Sequence, residues 1–248
     1  MSNFNKLIDI VKKLRAPDGC EWDREQTHES LTPYLLEETY EVLEAIDNKD
    51  FTALKEELGD LLLHVVFQAE LANEKKLFSL EDSIRNVNEK LINRHPHVFA
   101  NDNAKKVDWE TAKQKEKKRD SLLDGVPKAL PALLRARRIQ ERAASVGFDW
   151  KTSKQVFNKV EEEINELKEA LENNIGIEDE LGDVLFSIVN LTRHLDLNPE
   201  TSLKKSIDKF TYRFKKLELE LKNRNQDIKD FSLVQLDALW ESIKLKEK

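Results

Sequence analysis

Apolar residues recur along most of this chain at intervals of three and four, and no stretch alternates as a half-buried strand does. The rhythm predicts helices near 3–15, 32–47, 51–75, 80–94, 108–120, 128–146, 153–173, 177–195, 199–225 and 233–246, hence an all-α fold. The start signals agree. Thr32-Pro33 and Asn198-Pro199 each place a capping side chain ahead of a proline in the first turn. Asp50, Ser79, Thr152 and Ser232 are further candidate caps, and Ser79-x-x-Asp82 approximates a capping box.

The pattern occurs twice. Glu37-Glu38-x-x-Glu41 is followed by Glu57-x-x-Asp60, and Glu162-Glu163-x-x-Glu166 by Glu180-x-x-Asp183. Lys90-x-x-x-Arg94 trails the first set and Lys209-x-x-x-Arg213 the second, while Arg15 with Trp22 has a looser echo in Arg142 with Trp150. This order fits an internal duplication of roughly 120 residues. The segment from Phe99 to Lys128 carries Lys105, Lys106, Lys113, Lys115, Lys117 and Lys118 and ends in the turn signal Asp124-Gly125-Val126-Pro127. The chain therefore reads as an N-terminal repeat over 1–100, a lysine-rich helical linker over 101–127 and a C-terminal repeat over 128–248. The linker lysines fit a solvated helix face better than a phosphate site.

On a helical wheel Leu31, Leu35, Val42 and Ile46 form one apolar stripe, with Glu38 inside its edge and Glu41 just outside. Leu54, Leu58, Leu61 and Val65 form another, with Glu57 at its edge and Asp60 just beyond. Both helices set their i, i+3 acids on the same side, so antiparallel packing would bring four carboxylates together. Glu163, Glu166, Glu180 and Asp183 repeat the layout. A lone Glu-x-x-Glu pair is usually a solvated face, but a matched pair on two helices, occurring twice, argues against that reading. Crowded carboxylates repel, by on the order of 4 kcal/mol per close pair at an effective dielectric near 20. An acid on an apolar stripe needs a partner or a metal. Oxygen-only ligands favour Mg²⁺, with Mn²⁺ as a substitute, over zinc or copper.

Composition narrows the partners. The 248 residues are 36% charged, with six glycines and six prolines, which suits long exposed helices. The net charge of −7 speaks against bulk attraction to nucleic acid. A lone cysteine, Cys20, fits a reducing compartment. Residues Met1 to Lys13 lack the apolar core of a signal peptide, and the longest apolar run, Leu61 to Phe67, is interrupted by His64. A cytoplasmic protein without a membrane partner is expected.

Other motifs carry less. Glu25-x-x-His28 is half of a di-iron signature whose second half is missing from the chain. His64, on the acidic side of its helix, has Ser187 as its counterpart, which favours a structural histidine. Arg94-His95-Pro96-His97 reads as a cationic helix end. Lys209 and Arg213 share a helix face and are candidates for gripping phosphates. Trp240 and Lys244 are spaced to stack on a base and touch a phosphate, although spacing alone favours packing for the tryptophan.

Taken in order, several segments resemble the MazG family of nucleoside triphosphate pyrophosphohydrolases in its two-repeat bacterial form. They are Trp22-Asp23-Arg24-Glu25-Gln26-Thr27-His28, Leu35-Leu36-Glu37-Glu38-Thr39-Tyr40-Glu41, Glu56-Glu57-Leu58-Gly59-Asp60-Leu61 and Arg94-His95-Pro96-His97-Val98-Phe99. Gly125-Val126-Pro127-Lys128-Ala129-Leu130-Pro131-Ala132-Leu133 and Val146-Gly147-Phe148-Asp149-Trp150 continue the match. The resemblance implies tandem helical-bundle repeats, a homodimer, and Mg²⁺-dependent hydrolysis of nucleoside triphosphates to monophosphate and pyrophosphate. It implies metal binding by Glu163, Glu166, Glu180 and Asp183, with Glu38, Glu41, Glu57 and Asp60 as a second set. It further implies nucleotide contacts by Lys209, Arg213, Trp240 and Lys244, and a main site in the C-terminal repeat. Two departures stand out: Glu21 where members commonly have proline, and no lysine or arginine from Glu172 to Glu178.

The expected reaction is in-line attack of water on the α-phosphorus, with Glu162 as the candidate base and a broad ribo- and deoxynucleotide range. The only stacking candidates are Trp240 and Phe148 or Trp150, and stacking tolerates every base. Two rivals make different predictions. A helical interaction module would tolerate paired Glu→Gln changes, and a metal-dependent nucleotide sensor would bind without turnover.

Overall fold

The computed structural model describes residues 2–99 and 120–246. The helix expected over 108–120 falls, except for its last residue, outside them, as do the linker lysines. The chain divides into two compact units, Met1–Val107 and Asp108–Lys248. The first holds α1 (Asn3–Arg15), α2 (Glu21–Glu25), α3 (Thr32–Asn48), α4 (Phe51–Glu74), α5 (Leu80–Arg94) and α6 (Pro96–Phe99). The second holds α7 (Ala132–Ser145), α8 (Ser153–Asn173), α9 (Ile177–His194), α10 (Pro199–Asn223), a 3₁₀ turn (Ile228–Asp230) and α11 (Leu233–Leu245). No strand occurs among the described residues. The fold is all-α.

Capping chemistry places these helices. Asp50 Oδ1 accepts from Thr52 N and Ala53 N, Thr152 from Gln155 N, and Asn198 from Thr201 N. Ser79 with Asp82 and Ser232 with Gln235 form complete capping boxes. The long helices reverse direction over short links, in which Lys49 and Asn174 take left-handed backbone at φ 56° and 55° and close the ends of α3 and α8. Such tight reversals make α3–α4 and α8–α9 antiparallel hairpins, and the helices of each pack along one another.

Three details differ from expectation. Thr32 lies inside α3, its hydroxyl donating to His28 O at 3.1 Å, and Leu31 precedes the helix without a side-chain cap. α7 starts at Ala132, because Pro131 sits at the cap with extended ψ of 141° and residues 127–130 form a turn. Short α2 and α6 are too brief to leave a periodic signature.

α1 packs on α4 through Val11, Val66, Phe67 and Leu71, and Leu31, just ahead of α3, joins the same cluster. Arg15, at the end of α1, ties this core to the following loop. Its guanidinium grips both oxygens of Glu74 at 2.6 and 2.7 Å, donates to the carbonyls of Asp23 and Gln26, and lies 5.3 Å from the centre of the Phe67 ring. In the second unit α10 and α11 pack through Leu217, Leu221 and Ile243, with Phe231 and Trp240 against them. Val156 and Val189 are fully buried on α8 and α9.

Candidate functional site

The two hairpins carry the acids. Antiparallel packing sets the i, i+3 pair of one helix against that of the next, and the result appears in each repeat. Carboxylate oxygens of Glu38, Glu41 and Glu57 lie within 4.8 Å of one another, and so do those of Glu163, Glu180 and Asp183. The expected fourth member stands outside each trio but remains electrically coupled to it. Asp60 raises the Glu38 carboxyl, and Glu166 is hydrogen-bonded to Glu163. Mutually close hard oxygen donors fit a divalent cation of the Mg²⁺ or Ca²⁺ class.

Carboxyls in both clusters titrate high. Burial, then the charges of Glu41 and Asp60, push Glu38 up to about 6. Burial and the neighbouring Glu41 raise Glu57. Glu166 is raised first by its hydrogen bond to Glu163, then by burial and the charge of Glu163, while Lys159 pulls it the other way. A proton and a cation compete for such groups, so cation affinity at the first cluster should fall as pH drops below about 6, by about tenfold per unit for each proton displaced. Linkage also gives the cation-free unit a stability contribution from Glu38 that is present below 4.5 and lost as pH rises through about 6. Mn²⁺ titration followed by electron paramagnetic resonance on either side of pH 6 checks the first prediction; equal affinities would contradict it.

Three features mark the second cluster. Glu163 is buried at 7% exposure. Lys159, one turn earlier on α8, reaches Glu163 at 2.8 Å and Glu162 at 2.6 Å, and those two hydrogen bonds raise its ammonium above the ordinary lysine range. Glu163 and Asp183 of the trio also line a cavity of about 600 Å³, with Lys159 and beside Phe148, Trp150, Phe186, Gln140 and Asn190. Glu162, the candidate base, is exposed and held by Lys159.

Asp149 anchors the loop at the cavity edge. It pairs with Arg193, approaches His194 Nε2 at 3.0 Å and accepts from Trp150 N at 2.8 Å. Burial works to raise its carboxyl, but the hydrogen bonds and charges of Arg193 and His194 prevail and hold it below the usual range. Gly147, at φ +88°, makes the turn into this loop, a conformation strained for any residue with a Cβ.

The remaining expected contacts lie elsewhere on the unit. Lys209 is exposed and Arg213 half-buried, both on α10. Trp240 packs on Phe210 with ring centres 5.0 Å apart, which is the packing role its spacing favours, and Lys244 pairs with Glu241 at 2.6 Å. These four are not among the residues lining the cavity. Sequence reasoning missed Lys159, Gln140, Asn190 and Arg193. The Lys-x-x-Glu-Glu spacing from Lys159 was a usable signal; Gln140 had none. His64 is half-buried: burial lowers its pKa against the charge of Asp60, and its Nδ1 is buried without a hydrogen-bond partner. His28 meets Gln68 rather than an acid.

A model of the MazG nucleotide pyrophosphohydrolase domain matches residues 26–99 and 151–217, one segment on each acidic hairpin. This chain belongs to the MazG family. The MazG nucleoside triphosphate pyrophosphohydrolase/pyrophosphatase of Thermotoga maritima is 50% identical over 244 residues, covering 97% of this chain and 95% of the relative. The nucleoside triphosphate pyrophosphohydrolase of Escherichia coli K12 is 42% identical over 260 residues, covering 100% and 99%. A crystal structure of a mazG-related protein from T. maritima matches 46% of this chain and 97% of its own at 32% identity and a TM-score of 0.37. The tandem arrangement of this MazG chain is thus seen both in its family matches and in its duplicated carboxylate trios.

Proposed function

We propose that this MazG protein hydrolyses nucleoside triphosphates, ribo and deoxy, to the monophosphate and pyrophosphate, and that its C-terminal repeat is the main site. The observation that carries the reading is the carboxylate trio of Glu163, Glu180 and Asp183, two of which, Glu163 and Asp183, line a cavity of about 600 Å³. These acids, with Glu166, would hold Mg²⁺, or Mn²⁺ in its place. Such an ion supplies Lewis-acid stabilisation of charge on the triphosphate. Lys159 adds a fixed positive charge beside the acids, suited to pyrophosphate as its negative charge develops. Glu162 is the candidate base: exposed and next to the trio, it can accept a proton from the attacking water. Lys209, Arg213, Trp240 and Lys244 are proposed to meet the substrate as it binds, the cations on its phosphates. Glu38, Glu41, Glu57 and Asp60 would bind a cation in the first repeat.

A homodimer accounts for what one chain leaves uncovered. Leu36, Tyr40 and Leu43 on α3, Phe157 and Leu171 on α8, and Leu181 and Leu185 on α9 remain exposed on the hairpins. A role in the cytoplasmic nucleotide pool follows from the substrate class, and no helix among the described residues is long and apolar enough to cross a membrane. Hydrolysis in ¹⁸O-labelled water tests the bond assignment. The label should enter the monophosphate; label in pyrophosphate would place the attack on the β-phosphorus and sink the proposed geometry.

A further inference from the structure

Resting on the hydrolase reading, we propose that the inner part of the cavity takes the substrate's nucleobase, and that Gln140 and Asn190 read its edge as an acceptor and donor pair. The lining residues of α9 form one stripe, from Asp183 through Phe186 and Ser187 to Asn190. Seven residues of helix separate the acid from Asn190, about 10 Å along the axis. α8 runs antiparallel beside it, so Glu163 marks the acidic end and Val156 the far end. A triphosphate tail on the acids therefore directs its nucleoside along this stripe. Phe148 and Trp150, exposed at 83% and 47%, and Phe186 supply aromatic surface there.

Two amides in this lining have orientations fixed by their surroundings. Gln140 is 7% exposed, and its Nε2 donates at 2.8 Å to the carbonyl of Phe186. A carbonyl only accepts, so the amide cannot be reversed, and its Oε1 is left buried with no hydrogen-bond partner. An unmet buried carbonyl is costly, and a ligand N–H removes the cost. Asn190 Oδ1 accepts from Arg193 Nε at 3.2 Å and Nη2 at 2.8 Å, which leaves its Nδ2 as the donor. Adenine, cytosine, guanine and uracil each present a donor beside an acceptor on the Watson–Crick edge. The pair therefore admits all of them yet selects against a base whose donor is blocked. The first repeat has exposed Lys13 two residues before Arg15, where the second has buried Gln140 two residues before Arg142. The reader belongs to one repeat alone.

The test compares ATP with N⁶,N⁶-dimethyl-ATP, and UTP with 3-methyl-UTP, on the unmodified protein with Mg²⁺, by kcat/KM. The same pairs are compared by calorimetric binding with Ca²⁺, which needs no turnover. Each methylated analogue should be about tenfold or more poorer, the loss expected of a buried acceptor left unpaired. Gln140→Leu should collapse the ratio by weakening ATP rather than by improving the analogue. Equal handling of both members of each pair by the unmodified protein overturns the proposal. So does a ratio that survives Gln140→Leu, which would mean steric exclusion, or one that survives it but collapses in Trp240→Phe, which would move the base to α11. Discrimination in binding without hydrolysis of ATP leaves the base reader standing and refutes the hydrolase reading; hydrolysis without discrimination does the reverse.

Discussion

Glu163→Gln is expected to reduce turnover to below a few percent of the unmodified enzyme, while Glu38→Gln retains most of it. Glu163 is the most enclosed member of its trio, contacts Lys159 at 2.8 Å and shares a hydrogen bond with Glu166. The amide keeps the shape but removes the charge that binds a cation, and it leaves Lys159 with one anionic partner, Glu162, in place of two. Several kcal/mol of stabilisation at the transition state depend on charge held at such a site. Glu38 belongs to the first repeat and is less enclosed than Glu163. Steady-state pyrophosphate release for both variants decides the matter: activity above a few percent in Glu163→Gln would mean that the C-terminal repeat is not the main site.

Leu221→Ala is expected to cost about 2–5 kcal/mol. Leu221 is 1% exposed, between Leu217 and Ile243, with Phe231 and Trp240 around the same cluster. At about 2–4 °C per kcal/mol for a chain of this size, the transition of the second unit should fall by roughly 4–20 °C. The helices loosened are those carrying Lys209, Arg213, Trp240 and Lys244, so KM should rise well below the transition while the carboxylate trio still binds a cation. Calorimetric scans with and without Mn²⁺ measure this. A shift under about 1 °C would mean that the α10–α11 cluster contributes little to the fold.

Much of this architecture follows from local chemistry that a sequence displays. Asp50, Ser79, Thr152, Asn198 and Ser232 cap the helices they precede because a short side-chain oxygen satisfies orphan amides wherever it occurs. The acids could be located because i, i+3 spacing fixes one helix face and short links force antiparallel pairing. Periodicity defines an apolar sector, however, without saying what covers it. Ile46, Leu58 and Val65 sit on predicted stripes and are half exposed, since the hairpin partner covers only part of each sector. The cavity was illegible for a related reason. Gln140, Phe148, Lys159 and Asn190 come from α7, the Gly147 turn, α8 and α9, and only tertiary packing brings them together.

Phosphorus NMR of ATP, dCTP and UTP with the pure protein and Mg²⁺, with and without excess EDTA, tests α–β cleavage at the second carboxylate trio most directly. The predicted result is monophosphate plus pyrophosphate from all three, abolished by EDTA. Diphosphate plus orthophosphate, or cleavage indifferent to EDTA, would contradict it.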